Sequence, residues 1–390
     1  MDSLILVSNP GASSRKYALY KKGVQRIKIH FEYEKLQIKC HIVSAKFSET
    51  RVCNIKTIED SIKLVEPILR EFKLVSEKEI ISRVGLRIVA PSEYFLQDRL
   101  IDDEALRQLN ILKSRAPLHI SASINELKAI KSNFGSLDVV GISDSSFHVT
   151  KPDFAWNYGV DIDLANTIGI KRYGYHGISA ASVTRKLSYD LPDRMVVCHL
   201  GSGASVTAVK HGVSVDNTMG YSPLEGLVMS TRSGSIDLGA AMAIKNHLKL
   251  DDAGIENYLN KECGLLGLSK QSDDIRYLIE RYEAKDPLAS LALRTFAYNV
   301  KKAIGQMIAT LNGIDTLVFT GTAGTRSAFI RRLIVSDLDY FGLNIDNKRN
   351  NKCHDPLAPT VISTRTRVNQ VLVVPTDEES EIARLTRIYK

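Results

Sequence analysis

Leu4-Ile5-Leu6-Val7-Ser8-Asn9-Pro10-Gly11-Ala12-Ser13-Ser14 runs on into Arg15-Lys16-Tyr17-Ala18-Leu19, and about half a chain length away the plan recurs. There Val196-Val197-Cys198-His199-Leu200-Gly201-Ser202-Gly203-Ala204-Ser205 runs on into Val206-Thr207-Ala208-Val209. Each stretch reads as an apolar strand, a Gly/Ser turn and a returning strand. The shared Gly-Ala-Ser triplet starts at Gly11 and at Gly203. A duplication of this kind predicts two related domains facing each other across a cleft, with a chance match of small turn residues as the competing account. Such turns expose backbone N–H groups and hydroxyls without bulky side chains, which suits phosphate oxygens, although the same letters also make an ordinary hairpin.

A third turn of this type follows Leu317-Val318-Phe319-Thr320 as Gly321-Thr322-Ala323-Gly324-Thr325. It reads as strand, glycine turn, then a helix around Ser327 to Leu333, and it lacks the Gly-Lys-Ser/Thr ending of a Walker loop. Before it the pattern predicts a long helix from Pro287 to Leu311, capped by Asp286 and stopped by Asn312-Gly313. Ile58, Ile62, Val65, Ile68, Leu69 and Phe72 have helical spacing. Val139-Val140-Gly141-Ile142 reads as a buried strand delivering Ser143-Asp144 to its end. Thr376-Asp377-Glu378-Glu379 reads as a capping box in which Thr376 caps and Glu379 reaches back. Alternating strands and helices place the chain in the α/β class.

At 390 residues the chain exceeds one ordinary core, and 44% hydrophobic with 25% charged residues is a globular composition. The first twenty residues lack a signal pattern, and no apolar run reaches the roughly 20 residues of a membrane span. Cys40, Cys53, Cys198, Cys263 and Cys353 are odd in number and form no Cys-x-x-Cys pair, which argues against a disulfide framework or a structural zinc. A cytoplasmic setting is the expectation. The net charge of +8 is spread along the chain among acids, without a basic run, so nucleic acid is not an expected partner. A positive field suits anionic substrates.

These blocks together resemble the acetate kinase family. "LVSNPGASSRKY", "GLRIVAPSEYF", "RAPLHISAS", "ISDSSFHVTKP", "KRYGYHGISA" and "PTDEESEIA" are similar to family blocks in family order. The most specific is "VDNTMGYSPLEGLVMSTRSGSID", which matches the family signature over more than twenty residues. The resemblance covers nearly the whole chain. It implies a duplicated actin/Hsp70-like (ribonuclease H-like) two-domain fold with the active-site cleft between the domains. Residues 1–149, joined by the C-terminal helix 377–390, would form the N-terminal domain. Residues 150–376 would form the nucleotide-binding and dimerisation domain, with a hinge near Thr150.

The implied reaction is reversible, Mg2+-dependent (or Mn2+-dependent) transfer of a phosphoryl group between ATP and acetate. The nucleophile is a carboxylate, already ionised at neutral pH. The protein must therefore align two anions and neutralise charge spreading over the transferred oxygens. Arginine suits this, offering a planar, permanently charged fork.

The resemblance assigns Arg87, Asp144, His176 and Arg232 to catalysis. It gives Arg87, Val89, Leu118, Tyr175 and Pro223 to the acetate pocket, and Asn9 and Glu378 to the metal region with Asp144 beside them. Ser14, Lys16, His119, His199, Gly201, Ser202, Gly203, Gly321, Thr322, Gly324 and Arg326 would serve the nucleotide and its phosphates. Tyr175 stands where phenylalanine is usual, giving a more polar lining, and Val89 keeps the pocket small. A homodimer is implied as well.

Departures from the family pattern gather at the donor side. Ala90-Pro91-Ser92 replaces His-Gly-Gly. Ala12, Ser202, Ala180 and Ser235 each replace a more polar or longer side chain, while Asp237 remains. Gly321-Thr322-Ala323-Gly324-Thr325-Arg326 replaces Gly-Gly-Ile-Gly-Glu-Asn; Thr322 would crowd the nucleotide, and Arg326 could add charge for a phosphate. Three readings follow: ATP with altered contacts, another donor such as pyrophosphate, or a non-catalytic regulatory relative. Propionate or butyrate is the alternative acceptor.

Overall fold

The computed structural model describes residues 3–11, 14–34, 37–75, 79–113, 117–135, 137–364 and 368–389, with the side chains of 3 and 117–119 outside that description. The chain divides into two compact units, Met1–Ser146 with Asp377–Lys390, and Phe147–Thr376.

The first unit is built on β1 (Ser3–Pro10), β2 (Ser14–Lys21), β3 (Val24–Glu34), β4 (Gln37–Val43), β5 (Ser48–Cys53), β6 (Ile80–Ile88), β7 (Arg99–Leu100) and β8 (Asp138–Ser143). They form one sheet in the order β5-β4-β3-β2-β1-β6-β8-β7. β1 pairs antiparallel with β2 and parallel with β6, which is parallel to β8. Leu4, Leu6, Tyr17, Leu19, Ile27, Ile29, Phe31, Val84 and Leu86 anchor its core, joined by Ile62, Val65 and Leu69 from the helix Ile62–Glu71. That helix is shorter than its apolar spacing suggests, because residues 58–61 form a 3₁₀ turn leading into it. The C-terminal helix Glu378–Ile388 lies against β6 at Gly85, where a Cβ would come within 2.2 Å of Thr386 Oγ1. This close approach sets the helix's first turn beside the ends of β1 and β6. Its cap differs from the sequence expectation. Asp377, not Thr376, caps by accepting from Ser380 N–H at 3.2 Å, and Glu379 is drawn away to tertiary partners.

The second unit holds β9 (Arg194–Leu200), β10 (Ala204–Lys210), β11 (Val213–Asn217), β12 (Thr316–Thr320), β13 (Thr360–Val361) and β14 (Gln370–Val373), in the order β11-β10-β9-β12-β14-β13. β9 pairs antiparallel with β10 and parallel with β12, which is parallel to β14. The plan β3-β2-β1-β6-β8 therefore recurs as β11-β10-β9-β12-β14, strand for strand in sense. That supports duplication over coincidence. The helix Pro287–Leu311 matches its sequence signals: Asp286 accepts from Leu288 and Ala289 N–H at 2.9 and 3.0 Å, and Asn312 turns left-handed to end it. Leu293, Phe296, Val300, Ile304 and Ile308 form its buried stripe, packed against β9 and β10. The following glycine turn is itself helical over Gly321–Arg326, and Ser327 caps the next helix, Ala328–Val335. Among the described residues no helix is long and apolar enough to cross a membrane.

Candidate active site

In open α/β sheets ligands gather at the carboxyl ends of the parallel strands, and in each unit the chemistry-bearing side chains collect there. In the first unit the ends of β1, β6 and β8 carry Asn9, Arg87 and Asp144. Arg87 NH2 donates to Asp144 Oδ2 at 2.8 Å, and its NH1 approaches Asn9 Oδ1 at 3.5 Å. Asn9 Nδ2 donates to Glu378 Oε2 at 2.8 Å and to Glu379 Oε1 at 2.9 Å. Lys28 Nζ, from β3, meets Glu379 Oε2 at 2.6 Å, and Lys16 Nζ stands 4.0 Å from Oε1.

Burial works against the charges of Glu379, Lys28 and Arg87, but their partners outweigh it. Lys28 and Lys16 hold the Glu379 carboxyl well below the usual range, although burial alone would raise it. Burial would likewise lower Lys28, and Glu379 more than offsets it, leaving the ammonium raised. Arg87, also opposed by burial, is raised by Asp144 and Glu378. His30 is pushed down to about 3 by burial and by Lys16 and Lys28, and so stays neutral. Arg87 Nε is a buried donor without a hydrogen-bond partner among the described residues, a cost proteins rarely accept away from function.

The β1–β2 turn is pinned from below. Gly11 N–H donates to Ser14 C=O at 2.9 Å, and buried Arg15 donates to Gly11 C=O while standing 3.8 Å from Glu126. Ser14 is half-buried, as is Val89 just past β6. Ala12 and Ser13 lie outside the described residues, as do the side chains of Leu118 and His119 in the helix Pro117–Phe134.

In the second unit His176 takes a left-handed backbone, φ 59°, at the start of the helix Gly177–Lys186. Its Nδ1 is 3.0 Å from Ser205 Oγ, and its ring stacks on His199 with centroids 4.2 Å apart. His199 Nδ1 is fixed in turn by Ser179 Oγ at 2.8 Å. Gly203, in the turn just before β10, lies between the histidine and the signature arginine. A Cβ there would sit 3.2 Å from His176 Nε2 and 3.4 Å from Arg232 NH1. Arg232 is held in a turn in which Met229 N–H donates to Arg232 C=O at 3.0 Å, and Ser230 N–H reaches Ser202 C=O at 3.3 Å. A Cβ on Gly201 would approach His199 Nε2 at 3.5 Å.

Gly321, at φ +75°, starts the short helix where any Cβ would strike the Leu200 backbone at 2.7 Å. The turn thus begins beside the end of β9. Gly324 is buried and Thr322 exposed. Arg326, read as a candidate phosphate cation, pairs with Asp355 at 2.9 Å.

Two of the proposed pocket residues sit deep. Tyr175 is 1% exposed and its hydroxyl donates to Tyr221 C=O at 2.7 Å, so its polarity is consumed rather than offered to a pocket. Pro223 is buried. The neighbouring His148 is structural. It bridges Ser214 Oγ at 2.8 Å and Tyr175 C=O at 3.0 Å, and burial lowers it to about 3. Asp237, retained from the signature, caps the helix Leu238–Leu248 through Ala240 N–H at 3.1 Å.

Sequence reading missed Lys28, Glu379 as a tertiary partner, Ser205, and Arg331. The alternation Ile27-Lys28-Ile29-His30-Phe31-Glu32 puts Lys28 on the polar face of its strand, but nothing in it points to Glu379 as its partner. Arg331 is wholly buried, donating to Gly324, Thr325, Asn350 and Cys353 carbonyls at 2.7–3.0 Å and so fixing the 321–326 turn.

A sequence profile described as the Acetokinase family matches residues 4–384. The acetate kinase of Clostridium acetobutylicum is 36% identical, with 98% of each chain covered. Among solved structures, the acetate kinase of Porphyromonas gingivalis superimposes with TM-score 0.83 at 31% identity, and a propionate kinase from Francisella tularensis with 0.86 at 32%. Both cover 99% of each chain.

Proposed function

This chain belongs to the acetokinase family, and from that premise we propose that it transfers the γ-phosphoryl group of ATP to acetate, reversibly, giving acetyl phosphate and ADP. The observation that carries the reading is the convergence of His176 Nε2 and Arg232 NH1 on Gly203. Two donors face a position where the chain has no side chain, next to a strand-end turn. An anionic oxygen lying against the Gly203 backbone would be within reach of both groups, and donors fixed before the reaction stabilise developing charge most effectively.

In the tautomer in which Ser205 Oγ–H donates to Nδ1, the His176 proton lies on Nε2, available to a phosphoryl oxygen. Stacking on His199 holds the ring in plane. Arg232 shares the charge of the transferred group. In the first unit Arg87, oriented by Asp144, holds the acetate carboxylate. Asp144 is a positioning residue here, since its carboxylate is engaged by the arginine.

A divalent ion, Mg2+ in this reading, would neutralise nucleotide phosphate charge when bound. Among the described residues no three His, Cys, Asp or Glu side chains are placed to hold a metal by themselves. The hard oxygens of Glu378 and Asn9 suit an ion held mainly by phosphates and water, as Mg2+ usually is. The turns Gly201–Gly203 and Gly321–Gly324 would receive the nucleotide, and Lys16 and Ser14 are proposed as phosphate-binding residues on the resemblance. Pairing of Arg326 with Asp355 makes that arginine a brace for the turn more than a phosphate ligand.

A homodimer is part of the proposal. The helix Leu238–Leu248 buries none of its residues, while Leu238 is 75% and Met242 45% exposed. An apolar surface of that kind is suited to a second copy. The five cysteines are free thiols, consistent with a cytoplasmic setting.

The test is hydroxamate-trapped acyl phosphate formed by the purified protein with Mg2+, comparing acetate and propionate against ATP, GTP and pyrophosphate. Acetyl phosphate formed from ATP supports the proposal. Turnover with pyrophosphate alone moves the donor. No product from any pair overturns it.

A further inference from the structure

The carboxylates Asp144, Glu378 and Glu379 share one hydrogen-bonded chain with Asn9, and three cations already face them. Arg87 takes Asp144 at 2.8 Å, Lys28 takes Glu379 at 2.6 Å, and Lys16 stands 4.0 Å from the same Glu379. Three carboxylates thus face three cations from the protein's own side chains, with Asp377 a further acid acting on Lys28. Lys28 is the closest cation in it. It comes from β3, opposite Ala18 of β2 and Val43 of β4, so neither cross-strand partner offers a replacement charge. His30, next on the same face, is neutral.

We propose that Lys28 is a resident cation of this region, occupying Glu379 and thereby weakening the attraction of the Asn9–Glu378 oxygens for a divalent ion. The inference rests on the kinase reading for the ion's purpose, but the charge arrangement stands without it. One carboxamide separates the Lys28–Glu379 pair from Glu378, so the ammonium acts on an ion at Glu378 through space. A unit charge within several ångströms of a divalent ion, even at water-like dielectric, corresponds to roughly tenfold in affinity.

The experiment measures Mn2+ affinity from the electron paramagnetic resonance signal of free Mn2+, with ADP present, at low ionic strength. Lys28→Met and Lys28→Gln are expected to bind Mn2+ about tenfold more tightly than the unsubstituted protein, and Lys28→Arg equally. The paired variant Lys28→Met with Glu379→Gln removes both charges together and should return to the original affinity. It also relieves the uncompensated Glu379, keeping the comparison available if Lys28→Met alone fails to fold. Unchanged or weaker binding in the charge-removing single variants, or tenfold tighter binding in the paired one, overturns the proposal. Acyl phosphate formation is followed in the same samples. Its absence from the unsubstituted protein would sink the kinase reading while leaving the Mn2+ comparison intact.

Discussion

Gly203→Ala isolates the donor pair on which the functional reading depends. The added methyl would lie 3.2 Å from His176 Nε2, 3.3 Å from its Cε1 and 3.4 Å from Arg232 NH1. Those contacts are tight enough that something must yield by a few tenths of an ångström. His176 has little room to yield, because Ser205 holds one edge at 3.0 Å and His199 covers one face. Arg232 is the softer neighbour. The methyl would also keep an anionic oxygen from approaching the Gly203 backbone beside the two donors. Losing one fixed donor to a developing charge costs about 3–4 kcal/mol, or a 10²–10³-fold fall in turnover. The cost to folding should be smaller, about 1–2 kcal/mol for mild overpacking.

Gly201→Ala, in the same turn proposed to receive the nucleotide, is the steric comparison, since its Cβ would meet Gly203 C=O at 3.4 Å and His199 Nε2 at 3.5 Å, which are ordinary contacts. Steady-state acyl phosphate formation, with kcat and KM separated, and thermal melting of both variants make the comparison. Gly203→Ala should lose kcat with the melting temperature nearly kept, and Gly201→Ala should lose much less. Comparable losses in both, or more than half the activity retained in Gly203→Ala, would refute the assignment of the anion to that place.

Three further outcomes are expected. Arg232→Ala should lower kcat by about 10³-fold with unfolding midpoint unchanged, read by the same assay and by urea denaturation. Arg331→Met should cost about 3–5 kcal/mol of stability, because it strands carbonyls that one buried guanidinium now satisfies; the loss in urea should come with a raised KM for the nucleotide. His148 stays neutral in the native state down to about 3, whereas in the unfolded chain it protonates near 6.5. Its contribution is therefore complete above pH 6.5 and lost as pH falls toward 3, with a slope approaching about 1.4 kcal/mol per pH unit. Urea midpoints against pH should flatten over that window in His148→Asn.

Much of the fold was written locally. Asp286, Pro287 and Asn312 bound a helix through interactions within a few residues, and the structure follows them. The two strand-turn-strand segments were legible for the same reason. The strand-for-strand recurrence of both sheets was not, because it depends on β6, β8, β12 and β14, which enter from remote segments. Local rules misled where a distant partner outbid them. Thr376 and Glu379 spell a capping box, yet Glu379 finds a carboxamide and an ammonium more than 350 residues away, and Asp377 takes over the cap.

The same competition explains which site residues could be read in advance. Arg87, Asp144, His176 and Arg232 stand in family blocks, so the resemblance proposes them without any geometry. Lys28 belongs to no such block, and its partner is defined only once β3 and the C-terminal helix are folded onto one sheet. A strand lysine surrounded by alternating apolar residues reads as a solvated face until a buried carboxylate is found opposite it. Drift on the donor side follows similar logic. Thr322 is exposed, and Arg326 spends its charge on Asp355, while the buried Arg331 keeps the turn's backbone carbonyls in place. Backbone shape can survive when the side chains lining it change, because the residue enforcing that shape, Arg331, is buried beneath the turn. The altered letters at 322–326 therefore weigh less against a nucleotide donor than their position in the sequence suggests.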